Sequence, residues 1–425
     1  MERGAWFDSA RFGMFIHWGH VSQQGLELSW PMAGGTAVLP YSTPVPVEQY
    51  QSSAATFAPS VDAPKEWAAL AADAGMRYAV FTSRHHDGFS MWPSAVSDFH
   101  ASDDLVGAYV DAFRSAGLRV GLYYSLSDWH HVDYPALTDD DRPYAFSPRR
   151  SSPEAWGRFV DDYLFPQVRE LLTDYGTIDV LWFDGGWERS AREWKADELM
   201  AMIRDLQPEC LVNDRLPGHG DYETPEQLVP AAPSDGRWET CMTMNSTWGY
   251  CPADTGYKSA RELVHTLCEV AGRGGNLLLN VGPRGDGSLA PEQVERLETV
   301  ARWMRANAGS IHDTTPGLEP WQVYAPSTRS GDAVYVHLLA RPYETATVRG
   351  LPIRRVRGVT HVASGRLLEH RTRCSVMDDL LNWDPSGELI VDVPADCIDD
   401  LATVLAIEIA PEGSEVEPPL AFRTQ

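Results

Sequence analysis

Polar residues of the kinds that bind and cleave small molecules stand at the ends of short apolar runs in this chain. FGMFIHWG closes on His17-Trp18, RYAVFTS runs out into Arg84-His85-His86-Asp87-Gly88, and LRVGLYYS ends in Tyr123-Tyr124-Ser125 with Asp128-Trp129 just beyond. IDVLWFDGG ends in Trp182-Phe183-Asp184-Gly185-Gly186 and CLVNDR in Asn213-Asp214-Arg215, and Glu223, Glu226 and Trp238-Glu239 follow. If each run is a strand of a parallel barrel, these residues gather at its carboxyl end, where such folds place their active sites. Carboxylates, histidines, an arginine and indoles then form a pocket with apolar walls and a few aimed donors. That combination suits a sugar, which offers a hydroxyl rim and C–H faces.

Each of these residues also has a plainer reading. Trp182 and Asp184 fall on one face of a strand and Phe183 on the other. Asp184 is then either the N-cap of the next helix or a catalytic carboxylate in a sugar pocket. The two glycines after it favour the second, because they let backbone or substrate approach closely and delay the helix. His85 and His86 could be metal ligands. A catalytic metal needs three or four convergent ligands, however, and no H-x-H or H-E-x-x-H spacing accompanies them, so hydrogen bonding to hydroxyl groups is the favoured use. His130-His131 reads as ordinary loop. Any one of Trp18, Trp30, Tyr124, Trp129 and Trp182 is as well explained by core packing, and only as a set do they suggest a pocket wall.

The elements that must position these residues alternate along the chain. From Phe12 to about Asn307, β-branched or aromatic runs are separated by helical patterns such as PKEWAALAADAGM, whose apolar face is Trp67, Leu70, Ala71 and Ala74 and which Gly75 should stop. Repeated β-α-β units of this kind predict a parallel sheet. Seven strand candidates with no glycine-rich phosphate fingerprint predict a (β/α)8-like, TIM-type barrel over a doubly wound sheet. After His312 the segments become short, β-branched and punctuated by Gly, Pro, Asp or Ser, the texture of an antiparallel β-sandwich. The expected domains are therefore a catalytic barrel over residues 1–312 and a sandwich over 313–425.

Composition narrows the class further. A net charge of -25 opposes attraction to nucleic acid and anionic membrane, and 15 Trp, 16 Tyr and 13 Phe supply core and to spare. The six scattered cysteines contain no C-x-x-C pair and read as reduced thiols. No apolar run reaches spanning length, and MERGAWFDSARFGMF lacks the features of a signal peptide. The expectation is a cytoplasmic protein, or the trimmed form of a secreted one.

Seven segments taken together are more specific. FGMFIHWG, TSRHHDGFSMW, GLYYSLSDW, IDVLWFDGGW, VNDR followed by DYETPEQ, WETCMTMNSTWGY and NLLLNVGPRGDG resemble, in order and over about seventy per cent of the chain, the alpha-L-fucosidases of glycoside hydrolase family 29. The resemblance implies a barrel with a C-terminal β-sandwich and retaining hydrolysis of terminal alpha-L-fucose from fucosylated glycans, with no metal and no cofactor. It implies Asp184 as nucleophile and His17, His85, His86, Tyr124, Trp182 and Arg215 as sugar-binding residues. Glu27 and Trp30 join them by a looser match, because the family often has Glu-Trp adjacent where this chain reads Glu27-Leu28-Ser29-Trp30. The position of the acid/base varies in the family. Glu226, 42 residues after Asp184, is favoured, and Glu239, 55 residues after, is the rival, with a pocket-floor or structural role as its alternative. Phe12 or Trp182 is expected to receive the sugar methyl. Rival functions are a metal-dependent barrel hydrolase built on His85, His86 and Asp184, a fucose-binding protein without turnover, and transfucosylation on the same residues. Linkage preference and oligomeric state, a homo-oligomer included, are open.

Overall fold

A computed structural model describes residues 3–35, 40–144, 150–231 and 236–422. Each of the seven apolar runs forms a strand: β1 (Phe12–Ile16), β2 (Tyr78–Arg84), β3 (Arg119–Ser125), β4 (Val180–Asp184), β5 (Leu211–Val212), β6 (Glu239–Thr243) and β7 (Asn276–Val281). They make one curled parallel sheet in the order β5-β4-β3-β2-β1-β7-β6. Nearly every strand residue is buried, as expected where both faces of a parallel sheet are covered. Between the edge strands β5 and β6 the chain from Tyr222 to Glu226 makes isolated parallel bridges, Asn213 to Tyr222, Glu223 to Trp238 and Glu226 to Cys241.

The inward side chains alternate with period two and share one apolar cluster that includes Phe15, Tyr78, Val80, Tyr123, Trp182, Leu211, Cys241 and Leu278. The short helix Phe7–Ala10 closes its lower end, with the Phe7 ring centroid 4.7 Å from that of Tyr222. Gly13 lies opposite Tyr78 in the β1–β2 register, and a Cβ there would come within 2.6 Å of the Tyr78 ring. The absent side chain makes room for that ring.

The helix Ala63–Asp73 buries Trp67, Ala68 and Ala71, and Gly75 follows it in the left-handed conformation, as the sequence predicts. The pattern from Pro153 to Thr173 reads as one helix in the sequence but contains a π-turn over Phe159–Leu164. Pro166 lacks an N–H to return to the preceding turn, and the Phe165 N–H reaches five residues back to the Val160 carbonyl.

By compactness the chain divides into two units, residues 1–258 with 276–298, and residues 259–275 with 299–425. The second holds two antiparallel sheets. One has six strands in the order Arg366–Leu367, Val356–His361, Thr403–Ile409, Ala333–Leu338, Ser327–Ser330, Thr315–Pro316. The other has three, Thr345–Pro352, Ser386–Asp392 and His370–Arg373. Val334, Val336, Leu405 and Ile407 of the first and Val348, Leu389 and Val391 of the second belong to a single apolar core. Among the described residues no helix is long and apolar enough to cross a membrane.

The contact between Gly13 and Tyr78 gives a test of the sheet's interior. Gly13→Ala should push the Tyr78 ring out of place and lower stability by about 1–3 kcal/mol, read as a fall in thermal midpoint.

Candidate active site

Asp184 is the last residue of β4, and its carbonyl accepts from the Leu126 N–H at 2.7 Å. Register places Trp182 beside Tyr123 and Asp184 beside Ser125. Gly185 then turns the chain in the left-handed conformation against Ser127, and Gly186 packs on the Arg215 carbonyl and the Pro217 ring, so neither position has room for a side chain. Asp184 caps no helix. One carboxyl oxygen accepts from Arg215 Nη1 at 2.9 Å, and the other accepts from the Tyr123 hydroxyl at 2.9 Å and lies 3.5 Å from His86 Nε2. Burial opposes ionisation here, but the Arg215 charge and the His86 and Arg215 hydrogen bonds outweigh it and hold this carboxyl well below the usual carboxylate range.

Arg215 follows the two-residue strand β5, which is short because the Asn213 side chain takes over the pairing. It accepts from the Phe183 N–H at 2.8 Å and donates to the Phe183 carbonyl at 2.9 Å. The guanidinium lies 4.6 Å from the Trp182 ring centre. Its Nη2 donates to Glu226 at 2.7 Å, and its Nε donates to Thr224 at 3.2 Å. One arginine therefore ties together two carboxylates from separate parts of the chain.

Three histidines complete the wall, each anchored through Nδ1: His17 to Asn280 at 2.7 Å, His85 to Ser29 and His86 to Ser127, both at 2.6 Å. Asn280 donates its amide to the Trp248 carbonyl, so its oxygen faces His17, Nδ1 of His17 carries the proton and Nε2 is left as an acceptor. Burial lowers the His17 pKa to about 3, and burial together with its neighbours His86 and His17 puts His85 well below its ordinary value, so both are neutral. The His86 ring stacks on Trp129 with centroids 4.9 Å apart.

These groups surround a cavity of about 320 Å³, lined by Phe15, His17, Trp30, His85, His86, Tyr123, Trp182, Asp184, Trp187, Arg215, Glu226, Gln227, Cys241 and Trp248. A larger hollow of about 760 Å³ lies at the opposite, amino end of the strands, beside Trp6, Arg119, Asp179 and Gln207. It holds no comparable convergence of titratable groups. Among the described residues no three His, Cys, Asp or Glu side chains are placed to hold a metal ion.

Of the residues singled out from the sequence, Asp184, Glu226, His17, Trp30, His85, His86, Trp182 and Arg215 meet at this cavity. Tyr124 does not. It pairs in register with Phe183 on the outer face, donates to Gln167 at 3.0 Å and lies under the Arg84 guanidinium, and Tyr123 is the tyrosine of the pocket. Phe12 is likewise one residue out of phase, and Phe15 supplies the inward ring, 5.1 Å from Trp182 and 5.9 Å from Trp248.

Glu27 is fully buried behind the wall, where it accepts from the backbone N–H groups of Leu28, Trp248 and Gly249, and burial raises its pKa to about 7. Ser29, in the left-handed conformation between them, lets Glu27 turn away while Trp30 reaches the cavity. Glu239 is also buried beneath the cavity, accepting from Trp182 Nε1 at 3.0 Å and from the Tyr78 hydroxyl, with its pKa raised by burial to about 7. Phe15, Trp187, Gln227, Cys241 and Trp248 also line the cavity, and Tyr123, beside Tyr124 at the end of its run, takes the place expected of Tyr124. The parity of a strand is readable in sequence, but which face turns inward at β3 depends on register.

Residues 2–309 match the family model described as alpha-L-fucosidase. The chain belongs to the alpha-L-fucosidase family. It is 33% identical over 367 residues to the tissue alpha-L-fucosidase of Homo sapiens, an alignment covering 80% of this chain and 76% of the human protein. Among solved structures it is similar to alpha-L-fucosidase isoenzyme 1 from Paenibacillus thiaminolyticus, with 36% identity, a TM-score of 0.84, and 96% of this chain and 99% of that one covered. The Thermotoga maritima alpha-fucosidase, solved in complex with a mechanism-based inhibitor, is 30% identical with a TM-score of 0.75, covering 95% and 96% of the two chains. For an alpha-L-fucosidase site built as described, the two adjacent tyrosines should behave differently. Tyr123→Phe should weaken fucose binding by about tenfold, while Tyr124→Phe should leave it within about twofold, as measured by calorimetric titration.

Proposed function

We propose that the protein hydrolyses terminal alpha-L-fucosides of fucosylated glycans by double displacement, with Asp184 as nucleophile and Glu226 as acid/base. The observation that carries this reading is the Arg215 fork, whose two terminal nitrogens hold Asp184 and Glu226. Retention needs two carboxyl groups close together, about 5 to 5.5 Å apart, and a shared guanidinium is what brings these two to one place.

In the first step an Asp184 oxygen attacks the anomeric carbon while Glu226 gives its proton to the departing glycosidic oxygen. The product is a β-linked fucosyl-enzyme and the free aglycone. In the second step Glu226 takes a proton from water, which attacks the same carbon and releases Asp184, so the anomeric configuration is retained. Asp184 stays ionised as pH falls because its pKa lies below the ordinary range, which is the state a nucleophile needs. The neutral His17 and His85 present ring nitrogens to sugar hydroxyls without competing for the charge of Asp184. Phe15, Trp182 and Trp248 offer an apolar corner for the C6 methyl.

Glu239 has the pKa expected of a general acid, but both its oxygens are committed to Tyr78 and Trp182 and it does not line the cavity. A general acid must first reach the oxygen it protonates. We assign Glu239 to holding Trp182 in place beneath Arg215. We also propose that the sheet closes as a (β/α)8-like barrel, the bridged segment from Tyr222 to Glu226 taking the eighth position. All strands of the parallel sheet precede His312 and all antiparallel strands follow it, which supports a catalytic domain ending near 312 and a β-sandwich after it.

Two experiments test the assignments. Asp184→Ala should lose about 10³-fold or more in turnover of an aryl fucoside, and azide should restore part of it with β-fucosyl azide as product; a variant without rescue would remove Asp184 from the role. Glu226→Ala should lose more activity on poor leaving groups than on an aryl fucoside with an activated one. Glu239→Ala should lose activity on both alike, and the reverse pattern would exchange the two residues.

A further inference from the structure

The cavity wall is uneven in its exposure. Phe15, His17, His85, Tyr123, Trp182 and Trp248 on the floor are buried, whereas Trp187, Glu226 and Gln227 at the mouth are open to solvent, Trp187 by 49%. A large ring so exposed commonly sits on a yielding loop. This one is held on a fixed frame. Gly185 and Gly186, just before it, pack so closely against Ser127, the Arg215 carbonyl and Pro217 that neither has space for a side chain. The Gly186 carbonyl accepts from Trp194 Nε1 at 2.8 Å. Glu188, just after it, is buried and accepts from Trp129 Nε1 at 3.3 Å and from the Tyr134 hydroxyl. Both neighbours of Trp187 are thus tied into the protein, and its half-exposed indole lines the cavity with its ring centre 6.1 Å from that of His86.

The other lip is fixed too. Gln227 adopts the left-handed conformation at φ 58°, its N–H donates to the Cys241 carbonyl at 2.9 Å, and its side chain bonds the hydroxyl and N–H of Thr243. Leu228 next to it is 53% exposed. Apolar surface kept rigidly in water at the entrance of a site is surface that a ligand can cover without an ordering cost.

The proposed reaction says which part of the ligand arrives there. Glu226 protonates the departing oxygen, so the leaving group lies on the side of Glu226, at the mouth, and fucose fills the floor. We propose that Trp187 is the platform of the leaving-group subsite, and that this subsite selects a sugar aglycone by stacking its C–H face on the indole. Gly185 and Gly186 carry the chain directly from Asp184 to the platform, so its place is set from the floor of the same cavity. The inference rests on the fucosidase reading and adds to it the residue that distinguishes one aglycone from another.

The test compares two substrates with the same fucosyl group: alpha-L-fucosyl fluoride, whose leaving group has no surface to stack, and a disaccharide of fucose on galactose. The quantity read is the ratio of kcat/KM for disaccharide over fluoride, in the full chain and in Trp187→Ala and Trp187→Phe. In Trp187→Ala the ratio should fall by about tenfold, and Trp187→Phe should restore most of it. If the wild-type enzyme hydrolyses the fluoride and the ratio in Trp187→Ala is unchanged, whether both rates hold or both fall together, the subsite assignment is overturned and the fucosidase reading stands. A wild-type enzyme inert toward the fluoride overturns that reading, and the subsite with it.

Discussion

The buried ion pair between Arg215 and Asp184 is the constraint around which this molecule is arranged. A carboxylate at the bottom of an aromatic cavity is costly to keep charged, and its one full positive partner comes from a different strand end, 31 residues away. Removing one member of such a pair leaves an uncompensated charge and costs about 3–5 kcal/mol. Much of the local sequence serves to bring the two together. Asn213 replaces a strand ladder with its side chain, Gly186 lets the chain after Asp184 pass close to the Arg215 carbonyl, and Trp182 supplies a ring face under the guanidinium. The same pair keeps Asp184 ionised against the burial that opposes its charge.

The other buried titratable groups follow a different rule. His17 and His85 are kept neutral by burial, each with one ring nitrogen already satisfied. Glu27 and Glu239 are buried carboxyls whose oxygens each accept from a backbone or side-chain donor and whose pKa values burial raises to about 7. They behave as brackets for Trp248 and Trp182. Residue type and distance along the chain do not by themselves show which carboxyl faces a cavity: Glu239 has its pKa raised by burial, yet it lies beneath the cavity and accepts from Tyr78 and Trp182.

Much of the sheet and most of the site could be read from the sequence because both depend on local pattern. Seven apolar runs with polar ends become seven strands with polar ends, and Asp184 and Arg215 need only the direction of their strands to converge. Tyr124 and Phe12 went astray for one shared reason. Adjacent residues in a strand point to opposite faces, and choosing between Tyr123 and Tyr124 takes the register of β3 against β4, which is set by contacts far apart in the chain. Glu27 failed differently: a left-handed serine between it and Trp30 turns the two residues apart, and nothing in E-L-S-W announces that conformation. Trp248 and Cys241 lay within quoted motifs, but their place in the pocket comes from the closing side of the sheet.

That closing side has a further consequence. From Tyr222 to Glu226 the chain is joined to its neighbours by isolated bridges and not by a continuous ladder, so the sheet has a seam, and Glu226 sits in it. Residues inserted or deleted along the seam would not shift the pairing of β1 to β4, on which Asp184 and the histidines depend. A change of length there would move Glu226 relative to Arg215 while the contact between Arg215 and Asp184, made from two strand ends, stayed in place.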